Sequence, residues 1–265
     1  LRDFIGGRGL GAKLLYDLLP QGVDPLSPEN IMIVLTGPLT GTIAPGGGKF
    51  VVVTKSPVSG GFLDSYASGR LAVELKFAGY DGLIIRGRAK SPSRIFVEDG
   101  KVEIKDASEL WGKDTFETEE YLQHEAGAEE IGTMCIGPAG ENLVSIASIN
   151  SDYYRQAARG GIGAVMGSKN LKAVSVRGSK GIKCEDVSGL MNIVLEHKAM
   201  LDKSPVVANR MRFGTPSTLD ITNEAGMLPT RNYQTGTFEK ANDKLDSIGV
   251  EKSIVQSRGC YGCMI

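Results

Sequence analysis

The chain has 265 residues, enough for one large core or two smaller domains. Thirty Lys and Arg against thirty-one Asp and Glu leave a net charge of −1, so charge alone argues for no nucleic-acid partner. No apolar run reaches the ~18 residues of a membrane-spanning helix, and the opening LRDFIGGRGL lacks the apolar segment of a secretory signal, so no membrane is expected and the cytoplasm is the default location.

The compositional anomaly is 35 glycines, about twice the usual share of ~7%, which implies many tight turns and places where backbone approaches a ligand. In chain order, GGRGLGAKLLYDLLP predicts a glycine-rich turn and an amphipathic helix over about residues 10–19, stopped by Pro20. Short apolar, β-branched runs predict strands at 31–35, 50–54, 82–86, 94–98, 102–105, 143–148 and 173–177. VEDGKVEIK reads as a hairpin turning at Asp99-Gly100. DTFETEEYLQHEAG reads as a helix capped by Asp114, with Glu117 three residues on and a stop near Gly127.

Beyond about residue 180 strand signals largely vanish. SGLMNIVLEHKAMLDKSP is helical, and so is TPSTLDITNEAG, where Thr215 can cap, Pro216 sits at the first helical position and Gly226 closes. The expected organisation is therefore a mixed α and β domain over 1–180 and the start of a helical domain over 181–265, with the joint near 178–185. The chain lacks a starting Met and stops two residues after a cysteine pair, so it looks like a fragment.

One internal similarity stands out. ASGRLAVELKFAGYDGLIIRG, 67–87, aligns without gaps to ARGGIGAVMGSKNLKAVSVRG, 158–178, and a Gly-Pro turn lies upstream of each. The reading is a diverged duplication that offers two related ligand cradles. The first cradle, GPLTGTIAPGGGKF, could hold an anion on exposed N–H groups with Lys49 adding a point charge, or could be a structural turn; it is neither a Walker A loop nor a dinucleotide fingerprint. In the second, Arg155 and Arg159 flank small residues ahead of Gly160, Gly161 and Gly163, which suits a phosphate or pterin-like ligand or else a packed turn. Cys260 and Cys263 stand at C-x-x-C spacing, open to a redox dithiol, half of a zinc site, or half of an iron–sulfur site. Cys135 and Cys184 read as packed residues, and His124 and His197 lie on helices away from both glycine loops.

The stretches DPLSPEN, GPLTGTIAPGGGKF, VVTKSPVSGGF, ELKFAGYDGLIIRG, DASELWGK, IGPAGENLV, ARGGIGAVMGSKNLKAV and NYQTGTF closely resemble the aldehyde ferredoxin oxidoreductase family of tungsten enzymes, from Gly7 to the end of the chain. The resemblance implies an α+β fold: a duplicated two-sheet N-terminal domain that forms the base for two pterin-dithiolenes, followed by an all-α domain. It implies a tungsten (or molybdenum) bis-pterin, a Mg2+ ion bridging the pterin phosphates, a [4Fe-4S] cluster, ferredoxin as partner and a small aldehyde as substrate, and it leaves a homodimer open. Carried over by position, the family's pterin-phosphate arginine falls on Lys49, which keeps charge but not the bidentate fork. The family's NSGG turn falls on YASG, placing Tyr66 and Ser68 at its contact positions; RAAGRGG falls on RQAARGG, where Arg155 matches and Gln156 and Ala158 replace an Ala and a Gly. Tyr66 and Ser68 of the first repeat correspond to Ala157 and Arg159 of the second. Cys260 and Cys263 fall on the first two cluster ligands; the third would be residue 267. No catalytic residue is expected within this stretch. A branch with another substrate or acceptor, such as an aromatic acyl-CoA reductase subunit, and a scaffold that has lost its metal are the alternatives.

Overall fold

The computed structural model describes residues 3–127, 131–241 and 244–263. Helix α1 (Gly7–Leu18) leaves the first glycine turn and ends where Leu19 becomes extended ahead of Pro20, because the residue before a proline disfavours helical geometry. The first repeat then runs β1 (Met32–Thr36), β2 (Lys49–Lys55), β3 (Phe62–Ser68), α2 (Leu71–Phe77) and β4 (Gly82–Ile85). A hairpin follows, β5 (Ser93–Glu98) and β6 (Lys101–Asp106), turning through Asp99 and Gly100 at φ 42° and 95°, the left-handed pair that matches strand twist. Helix α3 (Thr115–Ala126) begins with the reciprocal Asp114–Glu117 capping box and closes at Gly127, φ 60°. The second repeat runs β7 (Gly132–Cys135), α4 (Pro138–Glu141), β8 (Ile149–Ser151), β9 (Arg155–Ala157), α5 (Ile162–Ser168) and β10 (Leu171–Arg177).

The duplication is visible in the topology. One sheet is ordered β3-β2-β1-β4, and the other contains β9-β8-β7-β10, the same order built from the second repeat. The β5–β6 hairpin adds two strands outside β10, with β5 parallel to it. The ungapped alignment pairs Leu71 with Ile162 and Phe77 with Ser168, and these are the first and last residues of α2 and α5. Met32, Val34, Phe50 and Val52 from one sheet share a core with Met134, Ile149, Val174 and Val176 from the other, filled by Leu71 and Leu75 of α2 and by Ile162 and Val165 of α5. Burial of such side chains contributes about 1.5–3 kcal/mol each.

The strand expected at 143–148 does not form. That stretch is a run of turns after α4, Leu143 takes φ 57°, and Leu143, Val144 and Ile146 are exposed. The strand begins only at Ile149, because Gly163 of α5 claims the Ala147 carbonyl through its N–H at 2.9 Å. Strand β3 and the short strands β7, β8 and β9 complete the sheets.

The chain divides into two compact units, the first holding residues up to Glu185 together with Cys260–Gly262, the second Asp186–Gly259 with Cys263. The second unit is helical: α6 (Val187–Leu201), α7 (Pro205–Phe213), a 3-10 turn Thr215–Thr218, α8 (Leu219–Glu224) and α9 (Ser247–Glu251). Gly214, not Thr215, holds the cap position before that turn, and Thr215 makes no capping bond with its side chain. Arg212 of α7 grips Glu251 of α9 bidentately at 2.7 and 2.8 Å.

Candidate functional site

Strand β3 alternates strictly. Leu63, Ser65 and Ala67 point into the core, while Phe62, Asp64, Tyr66 and Ser68 point outward. In the antiparallel register Lys49 of β2 stands opposite Ser68, and Val51 opposite Tyr66. Lys49, Tyr66 and Ser68 therefore share one face at the end of the first repeat. Arg8 of α1 reaches the same face and pairs with Asp64 at 3.1 Å. Burial, aided by the Asp64 carboxylate, pushes the Tyr66 phenol above its ordinary value. A cleft of about 300 Å³ opens beside them, lined by Gly7, Pro38, Leu39, Gly46, Gly47, Lys49 and Tyr66 among others.

The glycine-rich loop of that cleft is close-packed on backbone. A methyl at Gly47 would stand 2.8 Å from the Leu39 carbonyl oxygen, and one at Gly48 2.6 Å from the Tyr261 carbonyl oxygen. Gly46 N–H donates to the Gly262 carbonyl at 2.9 Å. The segment Cys260–Gly262 thus lies against this loop, and the Cys260 Sγ comes 2.9 Å from Ser68 Oγ. None of the four cysteines is in a disulfide, and among the described residues no group of three or more His, Cys, Asp or Glu gathers to hold a metal. Cys263 is exposed.

The other expected residues lie on the second repeat. Arg155 and Gln156 are on β9, opposite Ser151 and Asn150, and Ala158 follows directly; Gln156 and Ala158 are exposed. The turn after them is held from the first repeat: Arg159 N–H donates to Ser65 Oγ at 3.3 Å, and Ser56 Oγ donates to the Gly160 carbonyl at 2.9 Å.

Two carboxylates that the sequence did not single out brace these turns. Asp152, at φ 46°, accepts the backbone N–H of Arg70 and that of Thr133 at 3.5 Å, so one side chain ties the turn after Ser68 to the second repeat. Gly69 (φ 124°) is required there, since a methyl would overlap the Asp152 carboxylate. Glu119 of α3 is fully buried and accepts from Asn150 Nδ2 at 2.8 Å, Tyr153 N–H at 2.9 Å and Thr133 Oγ1 at 3.0 Å. Burial pushes its carboxyl up to about 7 against those hydrogen bonds. Burial also raises Asp152. The signal available in the sequence was an acidic residue within SDYYR, immediately before the second cradle.

The family model described as the aldehyde ferredoxin oxidoreductase N-terminal domain matches residues 1–178, and the one described as domains 2 and 3 of the same enzyme matches residues 192–265. The chain belongs to the aldehyde ferredoxin oxidoreductase family. It is 44% identical over all 265 residues to the tungsten-containing aldehyde ferredoxin oxidoreductase of Pyrococcus furiosus, of which it covers 44%. It is 45% identical over 194 residues to the WOR-like subunit of an aliphatic sulfonate oxidoreductase from the same organism, covering 68% of this chain and 31% of that one. Among solved structures, the active-site complex BamBC of benzoyl coenzyme A reductase, in complex with 1,5-dienoyl-CoA, superimposes with a TM-score of 0.82 at 35% identity, over 98% of this chain and 42% of that one. The chain thus spans less than half the length of these family relatives. Its two-sheet fold is the family's N-terminal fold, with no helix among the described residues long and apolar enough to cross a membrane.

Proposed function

We propose that this chain is the cofactor-binding floor of a tungsten-dependent oxidoreductase that converts an aldehyde and water to a carboxylic acid and passes the two electrons, one at a time, to ferredoxin. The observation that carries the reading is the seating of Cys260 on Ser68, with Tyr261 and Gly262 lying against the glycine loop, on the face that also presents Lys49 and Tyr66. A thiol, a cation and a tight backbone cradle in one place suit an anionic, sulfur-rich cofactor.

The residues present fit such a group. The loop around Gly46–Gly48 admits no side chain at Gly47 or Gly48 without displacing backbone, so the loop beside Lys49 is held in one shape. Lys49 and the loop would hold one pterin, and Arg155, Gln156 and Ala158 would hold the other, with Mg2+ adding positive charge for their phosphates. Cys260 and Cys263 would give two of four thiolates to a [4Fe-4S] cluster. When bound, the tungsten (or molybdenum) bis-pterin supplies the two-electron redox centre and the cluster the one-electron relay. Of the chain's own residues, Lys49 would neutralise phosphate charge, and Asp152 ties the turn after Ser68 to strand β7 of the second repeat. The reading carries a cytoplasmic location, where thiols stay reduced.

A second reading follows from the structural likeness to the benzoyl coenzyme A reductase complex: the same floor serving a branch with another substrate. Tungsten, molybdenum and pterin content of the full-length protein, purified anaerobically with metal supplied, tests the cofactor; aldehyde-dependent viologen reduction separates the two branches. Finding neither metal nor pterin sinks both. Cys260→Ser in the same protein is expected to lose the iron–sulfur absorbance.

A further inference from the structure

The Ser68 hydroxyl sits 2.9 Å from the Cys260 sulfur, and both atoms are fixed from independent directions. Ser68 is the last residue of β3, held in register opposite Lys49, and its successor Gly69 is locked against the Asp152 carboxylate that also takes the Arg70 N–H. Cys260 starts a segment pinned two residues later by the Gly46–Gly262 hydrogen bond and pressed onto Gly48 through the Tyr261 carbonyl. As free groups, either hydroxyl or thiol can be the donor. A cysteine that ligates a metal is a thiolate and carries no proton, so the bond then has one direction, Ser68 O–H donating to Cys260 Sγ.

We propose that Ser68 is a positioning residue that sets the reduction potential of the iron–sulfur cluster by donating a hydrogen bond to the Cys260 thiolate. This rests on the reading that Cys260 ligates the cluster. Reduction adds one electron and makes and breaks no bond, so the cluster and its sulfurs become more negative. A donor at a ligating sulfur stabilises that extra charge and raises the potential. The hydroxyl on the outward side of β3 thus acts on the electron path.

The test is an EPR-monitored redox titration of the full-length protein purified anaerobically, with iron and tungsten measured in each sample. Ser68→Ala is expected to keep its iron and to titrate at a lower midpoint potential than wild type; Ser68→Thr, which restores a hydroxyl, is expected to return toward it. Should Ser68→Ala lose iron, Ser68→Gly, which deletes the hydroxyl without adding an atom, is titrated in its place with the same expectation. An unchanged midpoint at full iron content overturns the role of Ser68. Absence of a cluster from wild type overturns the ligand reading beneath it, and Cys260→Ser separates the two failures, since a cluster that survives this change has other ligands.

Discussion

The two repeats share strand order and helix boundaries, yet they are held in different ways. The first is covered by α1, which lays Leu10 and Leu15 on Ile33, Leu35, Val51 and Val53, an apolar seam. The second is covered by α3, which adds a polar network around Glu119 to its apolar contacts. Their central helices differ too. All seven residues of α5 are buried, whereas α2 ends in partly exposed Lys76 and Phe77. The difference is that the first repeat keeps a cleft open beside α1, whereas the helix of the second repeat is enclosed on every side, with its glycines against the backbone of α4 and of residues 147–148.

The sharpest way to break this comparison is a methyl group at equivalent places. Gly167 of α5 aligns with Lys76 of α2, and a Cβ at Gly167 would overlap the Gly140 carbonyl of α4, which has no room to yield. Gly167→Ala is expected to lower stability by about 3 kcal/mol or more. Lys76→Ala, which loses one pair to the exposed Asp81, is expected to cost under about 1 kcal/mol. Urea midpoints of the two variants compare them; equal losses would mean that the repeats are packed alike.

Glu119 gives the next effect. Its folded value, about 7, lies above the ordinary 4.5, so the native state holds a proton that the unfolded chain has released between those limits. Stability from this group is fully present below about pH 4.5 and falls as pH rises to 7, by roughly 2–3 kcal/mol at about 1.4 kcal/mol per unit. Glu119→Gln is expected to remove that slope while lowering the overall level, because an amide nitrogen facing Tyr153 N–H is a poor replacement. Urea midpoints from pH 4.5 to 7.5 check both. Asp152→Ala is a smaller change, about 1–2 kcal/mol: it strands the Arg70 N–H but also relieves a buried carboxylate, whose value is raised by burial. Its diagnostic sign is faster hydrogen exchange at Arg70 and Thr133.

Why some of this was legible and some was not follows from particular residues. The hairpin at Asp99-Gly100, the Asp114–Glu117 capping box and the matched helices of the repeats are local in cause, so the sequence displays them. Strand β3 carries no strand signal because its outward residues, Asp64, Tyr66 and Ser68, are polar or exposed and meet no second apolar layer, and its inward ones are mostly small. The run at 143–148 has the alternation of a strand, but α5 takes the Ala147 carbonyl and turns the chain. Of the candidate site, Lys49, Tyr66 and Ser68 come together as cross-strand neighbours, which the sequence could suggest only through resemblance. The approach of Cys260 across nearly two hundred residues, and the brace at Asp152, depend on tertiary packing that no local pattern encodes.

Lys49 gives the smallest effect on the fold and the most selective one on the site. It is exposed, at the start of β2 opposite Ser68, so removing its side chain leaves no buried group unpaired. Lys49→Ala is expected to change stability by less than about 0.5 kcal/mol. On the cofactor reading, though, the loop loses the point charge that meets a phosphate, while its second cradle keeps Arg155. The expected outcome is a lower tungsten-to-protein ratio in Lys49→Ala after gel filtration at raised salt, with wild-type thermal stability in the apoprotein. Lys49→Arg restores charge and adds a bidentate fork, so it is expected to retain metal at least as well as wild type. Equal tungsten retention in all three proteins would show that the glycine loop holds its ligand through backbone alone, and that the two cradles differ in charge without differing in grip.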